Sequence, residues 1–166
     1  MSTAPDPDPP NRIGVFVDVQ NIYYTTRQAY QRQFNYRELW KRVTAQGEIV
    51  TANAYATHRQ DEKQFKFQSA LRNIGFNVIL KPYLRRSDGT AKGDWDVGIT
   101  VDIMEAAPDL DTAILLSGDG DFDLLLAKIH DKYQVKTAVY GVPELTSKLL
   151  IDAADHFHPI ADDLLL

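Results

Sequence analysis

The chain contains no cysteine. That excludes a disulfide scaffold, a thiolate zinc site and a cysteine nucleophile, and it suits a reducing compartment. No apolar run approaches the roughly 20 residues that carry a helix across a bilayer. The opening MSTAPDPDPPNR has neither the basic start nor the apolar stretch of a secretory signal. The expectation is a cytoplasmic protein with no membrane attachment. A basic surplus is also missing: 18 Lys and Arg stand against 23 Asp and Glu, a net charge of -5. Nucleic-acid binders usually carry the opposite imbalance. A metal nuclease is not excluded, because its site gathers carboxylates and bound divalent ions reverse the sign a phosphate meets.

Several nucleotide and phosphate motifs are absent. No GxxxxGK[ST] and no GxGxxG occurs. The first apolar run ends in DVQNI, without the second acid of the DxDx[TV] motif of haloacid dehalogenases. His58 and His130 stand alone, and His156 and His158 have strand-type spacing, so all four histidines read as ordinary surface or core residues rather than zinc ligands.

With 166 residues, 44% hydrophobic and 25% charged, the chain is long enough for one domain with a real core. Residues 1–11 read as a disordered proline-rich tail and 12–166 as a single domain. The run IGVFVDV at Ile13–Val19 suits a strand buried on both faces of a parallel sheet. Further strands are expected at 49–55, 78–84, 112–116 and 135–140, with a short edge strand at 157–160. Helices are expected at 21–31, 36–46, 61–74, 94–107, 122–133 and 145–154, and a polar loop at 87–93. Alternating strands and helices imply an α/β fold, a mainly parallel sheet of about five to six strands with helices on both faces. Ligands of such sheets bind at the carboxyl ends of the strands.

That rule gives meaning to an unusual stretch, LLSGDGDFDLLL at Leu115–Leu126, which places Asp119, Asp121 and Asp123 within five residues. A helix cap explains one of them. Two acids flanking a glycine in a turn exceed what capping needs, whereas Asp123 fits a solvated first helical turn. The two glycines suggest tight or positive-φ backbone. Asp18 closes the first strand, and Asn21 follows three residues later, either as a cap or as a polar group above that strand. In KGDWDVGITVD, Asp96 shares a helical face with Ile99 and Thr100. Asp102 points about 120° away, and Asp94 is accounted for by the helix dipole. Lys92 could hold a phosphate or neutralise an acid. Carboxylates converging at one sheet edge repel. Mg²⁺ or Mn²⁺ relieves that repulsion, prefers oxygen ligands, and can activate water for attack on phosphorus.

The blocks VFVDVQN at Val15–Asn21, KGDWDVGITVD at Lys92–Asp102 and LLSGDGDF at Leu115–Phe122 resemble, in order and separation, those of the NYN domain in its LabA-like branch, a relative of the PIN nucleases. The likeness spans roughly residues 12 to 160. It implies a PIN-like three-layer fold and metal-dependent RNA cleavage that leaves a 5′-phosphate. Carried over by position, the catalytic and metal-holding set is Asp18, Asp96, Asp119 and Asp121, with Asn21 in support, and Asn21 and Ser117 are expected to contact the substrate. Some members of the family bind RNA or act in regulatory complexes without cleaving it, so a silent RNA-binding or regulatory module is the alternative. A homo-oligomer or a regulatory partner fits either reading. For the substrate, expected to be single-stranded RNA, Lys81, Arg85, Arg86 and Lys92 supply positive charge near the sheet edge. Trp95 is a stacking surface, while Tyr83 and Phe122 read as core.

Overall fold

The computed structural model describes residues 10–58, 61–82, 84–85, 91–92 and 95–166. Arg86, Tyr83 and Asp94, named above, lie outside the described residues, as do positions 1–9 of the expected tail. The chain order is β1 (Arg12–Asp18), α1 (Val19–Tyr30), α2 (Tyr36–Thr44), β2 (Glu48–His58), α3 (Glu62–Ile74), β3 (Asn77–Pro82), β4 (Leu84–Arg85) and β5 (Ala91–Lys92). It continues with α4 (Asp96–Ala106), β6 (Thr112–Leu116), α5 (Asp123–Tyr133), β7 (Lys136–Gly141), α6 (Lys148–Ala153) and β8 (His156–Pro159).

Six strands form one sheet in the order β3-β2-β1-β6-β7-β8, and every neighbouring pair is parallel. The first strand stays in the middle. Chain growth runs outward through β2 and β3, then returns to place β6 against the other side of β1. Strand order therefore reverses between β1 and β6, where open α/β sheets form their ligand crevice. The paired register sets Val17 opposite Leu116, so Asp18 and Ser117 leave the sheet at the same level.

Both faces of the sheet are covered, which is why the strands read as unbroken apolar runs. On one face Val15, Val17, Ala54 and Ile114 pack with Ile22, Leu39 and Leu71 from the first three helices. On the other, Phe16, Tyr55 and Leu115 pack with Ile99 and Ile103 of α4 and Leu126 and Ile129 of α5. The result is a three-layer α/β arrangement. Helix starts follow local chemistry: Asn35 Oδ1 accepts from the Glu38 N–H (3.1 Å) and Asp61 Oδ1 from the Gln64 N–H (2.8 Å). Gly75 ends α3 at φ 137, and a Cβ there would lie 2.6 Å from the Trp40 ring.

The expected elements are present with shifted ends. Two shifts arise because short 3₁₀ turns, Gly120–Phe122 and Pro143–Leu145, precede α5 and α6. A third is the pairing of Ala91 and Lys92 with Arg85 and Leu84 in a two-stranded antiparallel ribbon, where polar composition suggested only a loop.

Candidate metal centre

Asp96, Asp119 and Asp121 converge. One carboxylate oxygen from each lies within 4.8 Å of the other two. Asp96 and Asp119 are half-buried and Asp121 is exposed. Two parts of the chain build this cluster, each for a local reason.

Asp96 opens α4, whose Ile99 and Ile103 are fully buried beneath it. The helix entry is held by Trp95: its indole N–H donates to the Ala56 carbonyl at 3.0 Å, and its ring leans on Tyr55 at 5.5 Å. A Cβ at Gly98 would approach Trp95 Cε3 to 2.6 Å, so glycine makes room for the indole. Asp102, placed on another face from the sequence, does turn away. It accepts from the Tyr55 hydroxyl at 2.8 Å, and Asn53 donates to that same hydroxyl at 3.1 Å. Burial is the main cause that raises the Tyr55 phenol well above its ordinary value, so it remains a donor.

Asp119 and Asp121 come from the turn after β6. Asp119 Oδ1 accepts from the Asp121 N–H at 2.9 Å, capping the 3₁₀ turn. The turn needs glycine for space rather than for left-handed backbone. Among the described residues the positive-φ positions are Gln31, Gly75 and Gln134. A Cβ at Gly118 would meet the Leu145 carbonyl oxygen at 2.5 Å, and one at Gly120 would meet Ser147 Oγ at 2.5 Å. The expectation of positive φ is corrected accordingly: the segment leading to α6 packs directly on this turn.

Asp18 lies outside the convergent triad. Only 8% exposed, it accepts from Ser117 Oγ at 3.2 Å and from the Asn21 N–H at 3.5 Å, which caps α1. Ser117 is fully buried; its hydroxyl donates to Asp18 and accepts from the Asp119 N–H at 3.2 Å. Asn21 Oδ1 accepts from the Gly118 N–H at 2.9 Å. Ser117 and Asn21, read from the sequence as substrate contacts, therefore connect β1 and α1 to the acidic turn. The bonds from Ser117 to Asp18 and from Gly118 to Asn21 each span almost a hundred residues, so no local signal in the sequence could display them.

The remaining expected residues are more scattered. Phe122 is 1% exposed and belongs to the core. Asp123 accepts from the Leu124 N–H at the start of α5. Arg85 and Lys92 occupy the ribbon that precedes α4, and Lys81 lies on β3. Among the described residues, no helix is long and apolar enough to cross a membrane.

A parallel three-layer sheet with carboxylates gathered at its switch point defines a PIN-like α/β domain. The NYN domain model matches residues 12–161, and the chain belongs to that family. It is 26% identical over 161 residues to Low amplitude and bright protein LabA of Synechococcus elongatus, covering 92% of this chain and 86% of LabA. A crystal structure of VPA0982 from Vibrio parahaemolyticus, a protein of unknown function, superposes with a TM-score of 0.93. It is 54% identical and covers 97% of this chain and 99% of that one.

Proposed function

We propose that the protein is a metal-dependent ribonuclease that hydrolyses RNA phosphodiester bonds, with Asp96, Asp119 and Asp121 as the metal-holding acids. The observation that carries this reading is their convergence at the reversal of strand order. The donor set is all hard oxygen, with no nitrogen or sulfur, and it is open on the Asp121 side. That chemistry suits Mg²⁺ or Mn²⁺. When bound, such an ion supplies Lewis acidity and an activated water for in-line displacement at phosphorus. The chain's own residues do the positioning. Asp119 is held by its cap bond and by Ser117, Asp96 by the Trp95-anchored helix start, and Asp18 is tied to the acidic turn through Ser117. Membership of the NYN family, related to the PIN nucleases, supports RNA as substrate. Arg85, Arg86 and Lys92 are proposed as phosphate contacts ahead of α4, and a cysteine-free chain suits the cytoplasm.

The test is incubation of the purified chain with labelled single-stranded RNA in Mn²⁺, Mg²⁺ or EDTA, beside Asp119→Asn. Cleavage that requires metal and Asp119 supports the proposal. RNA binding without cleavage under every metal condition favours a regulatory RNA-binding module instead.

A further inference from the structure

Between α1 and α3 lies a groove of about 710 Å³ that the sequence did not announce. It adjoins a second hollow of about 330 Å³, and Tyr23, Gln33 and Lys63 line both. Among the described residues no Asp or Glu side chain lines either one, although the whole chain carries a net charge of -5. Arg37, Lys63 and Lys66 line the larger hollow and Arg27 the smaller. Lys63 and Lys66 are exposed, three residues apart on one side of α3, and neither has a carboxylate within ion-pair distance among the described residues. Tyr23 and Tyr24 stand out on α1, 45% and 51% exposed, edge to face at 5.5 Å. Arg27 donates to the Tyr23 hydroxyl at 2.8 Å and so sets that ring.

The groove neighbours the site along the chain. Its lining residues Val19 and Gln20 directly follow Asp18, and its Ala56 carbonyl holds the Trp95 indole, one residue before Asp96.

We infer that this groove binds the single-stranded RNA leading into the acidic triad, its lysines and arginines on phosphates and its exposed tyrosines on bases. The choice of RNA rests on the nuclease reading. The choice of a single strand rests on the groove itself, where cations track a backbone and aromatic faces take unpaired bases. A duplex keeps its bases stacked away from Tyr24.

The test is fluorescence anisotropy with a labelled 12-nucleotide oligouridylate and a 12-base-pair RNA duplex, in EDTA so that binding is read without cleavage. The Lys63→Glu/Lys66→Glu variant should bind the single strand at least tenfold more weakly. Its log–log salt slope should drop by about 0.7 for each phosphate that is no longer neutralised. Tyr24→Ala should lose about tenfold on the single strand, within the range for one stacked base. The control Lys128→Glu/Lys132→Glu, on exposed positions of α5, should match the parent. Unchanged affinity in the groove variants, equal losses in the α5 control, or equal binding of the duplex overturns the assignment. Loss of binding without any metal-dependent cleavage by the parent overturns the nuclease and keeps the groove. Intact binding in the groove variants with Asp119-dependent cleavage does the reverse.

Discussion

Asp119 caps a turn and stands in the triad at once, and two substitutions separate the roles. An amide caps about as well as a carboxylate. Asp119→Asn should therefore keep the thermal midpoint of the metal-free protein, or raise it slightly as repulsion from Asp96 and Asp121 falls. It should still lose metal-dependent cleavage by about a hundredfold or more, since metal assistance is worth several kcal/mol. Asp119→Ala should lose cleavage and, in addition, about 1 kcal/mol of stability in urea titration. An Asn variant that is destabilised yet cleaves like the parent would leave Asp119 a purely structural residue. Ser117→Ala is a different case. It removes a donor from buried Asp18 and an acceptor from the Asp119 N–H. The expected cost is about 1–3 kcal/mol, because the buried partners are left unsatisfied; a much smaller loss would deny the hydroxyl its bridging role. At this scale three of the four acids named from the sequence, Asp96, Asp119 and Asp121, converge, while the partners that Ser117 and Asn21 bond could not be read. A carboxylate closing an apolar strand is anomalous in the sequence alone, whereas Ser117 and Asn21 acquire meaning only when distant segments meet.

Apart from the ribbon of β4 and β5, the elements were legible because they are amphipathic or buried in a recognisable period. Their ends were less so. Helix α6 starts at Lys148 rather than near Leu145, since Pro143–Leu145 form a separate 3₁₀ turn and Thr146 Oγ1 donates to the Val142 carbonyl at 2.7 Å. That local turn lets the Ser147 N–H donate to the Gly118 carbonyl at 3.0 Å, seating the start of α6 on the acidic turn. The packing predicts that Gly118→Ala is damaging although no unusual φ is involved. The new methyl would meet the Leu145 carbonyl oxygen at 2.5 Å, a backbone atom that cannot swing aside. A cost of about 1–3 kcal/mol is expected from overpacking, together with weakened cleavage as Asp119 is displaced. Circular dichroism melts and RNA cleavage should fall together. Glycines of this kind look like turn formers in a sequence, and only the neighbouring segment distinguishes a steric need from a conformational one.

Across the whole molecule, the parallel sheet followed from strand–helix alternation, while its strand order, with the reversal between β1 and β6, and the groove between α1 and α3 did not. A groove depends on how helices diverge, and periodicity carries no signal for that. Two global measurements probe the assembled molecule. The first concerns acid stability. Burial, and secondarily the neighbouring His156, hold the His158 imidazole below its ordinary value of 6.5. The unfolded chain then takes up this proton more readily, so stability falls as pH drops from about 6.5 toward the depressed value. His158→Gln should flatten that part of the stability–pH curve, and an unchanged slope would assign it elsewhere. The second concerns the metal. If the native state alone binds Mn²⁺ at the triad, free ion at about 100 times Kd adds about 2.7 kcal/mol to stability. For a chain of this size that corresponds to a rise in Tm of about 5–10 °C. Asp119→Asn should abolish most of the rise, while Asp123→Asn, whose carboxylate accepts from the Leu124 N–H, should keep it. Equal shifts in the parent and both variants would mean that Mn²⁺ acts on the surface at large, and the convergence of Asp96, Asp119 and Asp121 would then be a crowded turn rather than a binding site.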